Sequence, residues 1–73
     1  MVRIAFATEE ALGLDSRLSH HFGRCPYYIF VDVEDNKIEK VDAKKNPYFN
    51  SHVPGAVPNF IANEGATIII AGA

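Results

Sequence analysis

The run Ser19-His20-His21-Phe22-Gly23-Arg24-Cys25 puts two imidazoles, a guanidinium and a thiol into one short stretch of a 73-residue chain. Neutral imidazole and thiolate are ligands for iron, zinc or copper, and thiolate favours the softer centres. Arg24 can neutralise an anionic guest or pair with a carboxylate or phosphate. Gly23, lacking a Cβ, lets the backbone approach a ligand closely. Each residue also has a plainer reading. His20 fits a solvated loop position, and His21 beside Phe22 fits a half-buried ring satisfied by a backbone carbonyl. Arg24 could instead bridge to Asp15 or Asp32. Cys25, ahead of Pro26 and two tyrosines, fits a small core residue as well as a ligand.

His52 is the third histidine and stands in the segment that leads into an expected helix. Helix N-termini attract anions through unpaired N–H groups and the macrodipole. If that helix begins beside the His20–His21 loop, His52 and Gly55 face the same pocket. Otherwise His52 is an ordinary polar loop residue. Other chemistries find little support. The chain has no Walker-type glycine loop and no dinucleotide fingerprint. Ser19 and His21 are too close in sequence to make a hydrolase triad by themselves. No carboxylate stands at a persuasive spacing to make His21 a general acid or base, so the chain reads as a binder and not as an enzyme. The four-cysteine spacing of a self-contained iron–sulfur protein is absent, so any cluster would be held by few protein atoms and readily released.

The elements that must position these residues are legible from periodicity. Val2, Ile4 and Phe6 alternate with Arg3, Ala5 and Ala7, which predicts a strand whose large residues form the well-packed face. The alanines let the other face be covered too, so the strand is expected to be central. Residues 8–24 break the pattern and form a long loop, a feature that leans functional in a small domain. Tyr27 to Val33 is aromatic and β-branched, a second strand entered after Pro26. Glu34-Asp35-Asn36 supplies turn chemistry. Lys37 to Lys44 follows as a polar edge strand, with Ile38 and Val41 its large apolar residues, and completes an antiparallel hairpin.

A helix is expected to start near Val57 or Pro58, where a missing N–H does no harm, and to present Val57, Phe60 and Ile61 on one side. Gly65 sits where a left-handed C-terminal cap belongs. Ile68-Ile69-Ile70 reads as a strand buried on both faces. The fold class is therefore α/β, in the order β-loop-β-β-α-β. The last strand is expected to run parallel to the first in a mixed sheet with a helix on one face. A strand so apolar needs neighbours on both edges. Either it pairs with another copy through its exposed edge, giving a homo-oligomer, or the protein continues and residues 1–73 are the N-terminal part of one longer domain. The second reading is preferred.

Composition sets outer limits. The net charge of −2 and a lysine run that alternates with Glu39 and Asp42 argue against a nucleic-acid partner. No stretch is apolar and long enough to span a bilayer. A single cysteine excludes an internal disulfide and gives no sign of an oxidising compartment, leaving the cytoplasm as the default.

Taken together, Ser19-x-His21-Phe22-Gly23-Arg24, the aromatic strand at 27–33, Gly13-Leu14-Asp15, Asn46-Pro47 and the closing Glu64-Gly65-Ala66-x-Ile68-Ile69-Ile70-Ala71-Gly72 resemble the dinitrogenase iron–molybdenum cofactor biosynthesis family. The resemblance covers essentially the whole chain. It implies a ribonuclease H-like α/β fold that binds iron–sulfur or molybdenum-containing cluster precursors, in nitrogen fixation or in organisms without nitrogenase. Metallocofactor assembly proteins would be its partners. By position, His21 would be the leading metal ligand, with Cys25 and His52 as further ligands. Arg24 and Gly23 would line the site, and His52 and Gly55 would form its second wall. Family members normally continue past Ala71-Gly72 with a helix, a strand and a helix. Where some carry another histidine near His52, this chain has Pro54. The fold label implies no nuclease, because the strand from Val2 to Ala7 has no aspartate for the metal ions such chemistry needs. The rival function is a regulatory domain that binds a small anion or a partner without metal.

Overall fold

The computed structural model describes residues 1–51 and 53–72. Strand β1 (Val2–Thr8) is followed by a loop carrying a short 3₁₀ turn, Gly13–Asp15. Then come β2 (Tyr27–Glu34), β3 (Lys37–Lys45), helix α1 (Ala56–Asn63) and β4 (Ile68–Ile70). The four strands form one mixed sheet in the order β3-β2-β1-β4. β1 pairs antiparallel with β2 and parallel with β4, so it is central as expected.

Local chemistry accounts for the joints. Asp35 and Asn36 both adopt left-handed φ, +51° and +62°, which is how a two-residue hairpin matches the twist of its strands. Gly65, at φ +85°, ends α1 and donates its N–H to the Ala62 carbonyl.

The core lies between one face of the sheet and α1. Ala5, Ala7, Tyr28 and Phe30 pack there with Val57 and Ile61 from the helix. The better-packed face of β1 is thus the alanine face, opposite to the expectation. Small residues on β1 make room for the rings of Tyr28 and Phe30, which sit directly across from Ala7 and Ala5. Phe60 completes an aromatic cluster, with centroids 5.8 Å from Tyr28 and 6.2 Å from Phe30. On the other face Val2 is 40% exposed, and Phe6 and Ile29 line a small cavity together with Leu14 and Leu18 of the long loop.

Strand β4 is a second correction. Ile68, Ile69 and Ile70 are 45%, 46% and 36% exposed, because β4 occupies an edge of the sheet. An apolar run reports hydrophobicity, whereas burial depends on neighbours brought from elsewhere in the chain. The opposite edge, β3, is polar as expected and bears Lys37, Lys40, Lys44 and Lys45. No helix among the described residues is long and apolar enough to cross a membrane.

Arg3 locks the distal end of the sheet. Its guanidinium reaches Asp32 at 3.0 Å and Asp42 at 3.6 Å, and lies 4.8 Å from the centre of the Phe30 ring. Arg3, not Arg24, is therefore the partner of Asp32.

Candidate functional site

The carboxyl ends of β1, β3 and β4 all point the same way, and the loops leaving β1 and β3 meet there. That placement follows from topology alone. β2 runs antiparallel to both its neighbours, so the loop entering it starts at the end where β1 and β3 finish.

Between the loops lies an open pocket of about 710 Å³. One wall is His20, His21, Phe22, Gly23 and Arg24. The facing wall is Tyr48, Phe49, Asn50 and Ser51, and the start of α1 closes it with Val53, Pro54, Gly55, Val57 and Pro58. The structure thus brings His21, Gly23, Arg24 and Gly55 to one cavity. His52 lies outside the described residues, between the lining residues Ser51 and Val53.

The histidine wall is pinned at several points. Buried Ser19 donates its N–H to the Ala7 carbonyl at the end of β1, and its own carbonyl accepts the Gly72 N–H beyond β4 at 2.7 Å. The Ser19 Oγ accepts the His21 N–H at 3.2 Å. His21 is left exposed. Further along, the Phe22 carbonyl accepts hydrogen bonds from the Tyr28 hydroxyl and from the Cys25 thiol. Arg24 is exposed and has no ion-pair partner among the described residues.

Cys25 is not brought to the pocket. It is fully buried in the core, with its thiol 3.5 Å from the Phe22 carbonyl oxygen. Burial pushes its pKa above the ordinary thiol value, so the ligand form, the thiolate, is disfavoured. Of the two readings open for this residue, its position matches the small core residue.

The helix end offers less to an anion than its dipole alone implies. Gly55 is the N-cap at φ +80°, with no side-chain cap bond. The Ala56 N–H is used by the Val53 carbonyl, and Pro58 has none. Val57 is left as the open donor of the first turn among the described residues. Charge on a guest would therefore be met mainly by Arg24 and the histidines. The described lining contains no aspartate or glutamate, on a chain whose net charge is −2. Among the described residues no group of three or more His, Cys, Asp or Glu side chains is arranged to hold a metal ion.

The family described as dinitrogenase iron-molybdenum cofactor matches residues 1–73. The chain belongs to that family. Its membership links it to iron–molybdenum cofactor biosynthesis at the level of the family as a whole. The crystal structure of PH0822 is similar to it, with a TM-score of 0.85 and 35% sequence identity over 99% of this chain. The chain spans 60% of the length of PH0822. No curated protein matches it.

Within this family member, two residues and the role of a third escaped the sequence reading. Tyr48 and Phe49 give the facing wall its aromatic part, and a tyrosine–phenylalanine pair next to a proline in a loop was the available signal. Asn46, in the Asn46-Pro47 pair, is 5% exposed and joins the two loops through its side chain. Only the folded geometry reveals that role.

Proposed function

We propose that the pocket binds an anionic metal–sulfur cluster precursor, iron–sulfur or molybdenum-containing, and carries it as cargo during metallocofactor assembly. The observation that supports this most is the pairing of His21 with Arg24 in a described lining free of carboxylates. Imidazole offers a nitrogen to a soft metal centre, and the guanidinium offsets the negative charge that sulfide brings. The openness of the site and the scarcity of protein ligands suit transient loading and release to an assembly partner. The same lining lacks a carboxylate to pair with His21, which favours binding over acid–base catalysis.

Anaerobic incubation with iron and sulfide tests the reading. A visible charge-transfer band is expected, weakened severalfold in His21→Ala and in Arg24→Ala. A colourless wild-type protein, with no iron retained after desalting, rejects it.

One observation favours a second reading. The buried Cys25 and the absence of a three-ligand group among the described residues suit a small metal-free anion held by Arg24. Calorimetry with inorganic phosphate separates the two. Binding that is lost in Arg24→Ala but retained in His21→Ala supports the anion site.

A further inference from the structure

We infer that Asn46 is a positioning residue that sets the width of the pocket by cross-bracing its two walls. The inference rests on the cargo reading above for its functional meaning, though not for its geometry. Asn46 stands two residues before Tyr48, where the facing wall begins, yet its side chain reaches across to the histidine wall. Its Nδ2 donates to the Gly23 carbonyl at 3.2 Å and to the Cys25 carbonyl at 2.8 Å. Its Oδ1 accepts the Tyr48 N–H at 2.9 Å. The backbone joins in, with the Asn46 N–H donating to the Pro26 carbonyl at 3.0 Å and the Asn46 carbonyl accepting the Phe49 N–H at 3.3 Å.

Both amide donors and the amide oxygen are thus occupied, in a site only 5% exposed. Only an amide of this length has two donors for one wall and an acceptor for the other. A carboxylate has no donor, and it would set negative charge against two carbonyl oxygens. Among the described residues the two walls share no β-ladder where they face each other beyond Thr8, Tyr27 and Lys45. The brace therefore decides how far His21 and Arg24 stand from Tyr48 and the start of α1. A site built to this tolerance loses binding when its support slackens, even with every contacting group intact.

Asn46→Asp and Asn46→Ala are the variants, with Ile61→Val, in the core and outside the pocket lining, as a control that lowers the melting temperature. Amide hydrogen exchange on the unloaded proteins reads the brace at Tyr48, whose N–H it holds, and the histidine wall at His21. Asn46→Ala is expected to speed exchange at least tenfold at Tyr48, whose N–H loses its acceptor, and at His21, whose N–H bonds the Ser19 hydroxyl, leaving β1 and β2 near wild type. Asn46→Asp is expected to speed it at His21 while Tyr48, still bonded to a carboxylate oxygen, stays protected. Loading with iron and sulfide should fall at least tenfold in both variants and stay near wild type in Ile61→Val.

Unchanged exchange in both loops, or faster exchange spread evenly over the sheet, overturns the inference. So does loading in Ile61→Val that falls as far as in the Asn46 variants. If Asn46→Ala does not fold, Asn46→Ser, which keeps one hydroxyl donor, is read by the same criteria. Wild type that takes up no iron or sulfide defeats the cargo reading, and the exchange data still decide whether Asn46 braces the walls.

Discussion

The Tyr28 hydroxyl donates to the carbonyl oxygen of Phe22, tying the middle of the sheet to the loop that carries His21 and Arg24. Tyr28 is fully buried, and its ring also packs edge-on against Phe22 at 6.1 Å between centroids. Tyr28→Phe keeps the ring and removes the donor, leaving the Phe22 carbonyl with the weak thiol donor alone. A loss of about 1–2 kcal/mol is expected, the usual penalty for an under-satisfied buried acceptor. Urea unfolding measures it. An unchanged midpoint would mean that the bond contributes nothing.

Alkali should weaken the fold. Burial raises the pKa of the Cys25 thiol and that of the Tyr28 phenol. The folded protein therefore holds both protons more tightly than the unfolded chain, where thiol and phenol ionise near about 8.5 and 10. Their contribution is fully present below about pH 8 and is lost as pH rises, at up to ~1.4 kcal/mol per pH unit for each group. Urea midpoints at pH 7, 9 and 10.5 should fall in that order, and Tyr28→Phe should flatten the upper part of the decline. Equal midpoints at pH 7 and 10.5 would contradict the assignment.

Iodoacetamide should leave the native protein unmodified. The same buried, proton-retaining thiol is both inaccessible and poorly nucleophilic. Labelling is expected to appear only with unfolding, so mass spectrometry across a urea series should track the unfolding curve. Rapid labelling in buffer would place the thiol at the surface.

Removing Arg3 takes the one cation from Asp32 among the described ion pairs and leaves Asp42 with Lys40, 3.4 Å away. The Arg3 and Asp32 side chains are 17% and 13% exposed, so solvent screens the pair only in part. Arg3→Ala is expected to destabilise by about 1–3 kcal/mol, less than a fully buried pair would lose. Thermal melting of Arg3→Ala and Arg3→Lys checks this. The lysine should recover only part of the loss, since a single ammonium cannot hold Asp32 through one nitrogen and Asp42 through another while lying over the Phe30 ring.

Gly55→Ala tests the turn into the helix. The added Cβ would meet nothing within 4 Å, so the whole effect comes from holding a non-glycine residue at φ +80°. About 1 kcal/mol of destabilisation is expected. A neutral result in thermal melting would show that the loop relaxes.

Much of the frame is written locally. Tyr27 to Val33 forms a strand because its residues favour a pleated surface, and Asp35-Asn36 turns because both tolerate left-handed angles. Gly65 ends α1 for the same reason. What escapes local reading depends on partners far along the chain. Alternation in β1 announces two faces, but only the arrival of Tyr28, Phe30 and α1 selects the alanine face for the core. Ile68 to Ile70 gives no hint that it stands at an edge. At the site, the His20–Arg24 wall is a contiguous string and stands out, and its meeting with residues 48–58 follows from strand directions. The inward turn of Cys25 and the crossing amide of Asn46 do not, since side-chain direction in a loop is decided by what it packs against.

The lack of acidic groups in the described lining has a bearing on selectivity. Magnesium and calcium, hard ions that demand several oxygen anions, find no such donors on these walls. Abundant dications in a cell would therefore compete poorly for the space. A metal would gain entry chiefly in a form whose own sulfur has already turned its charge negative.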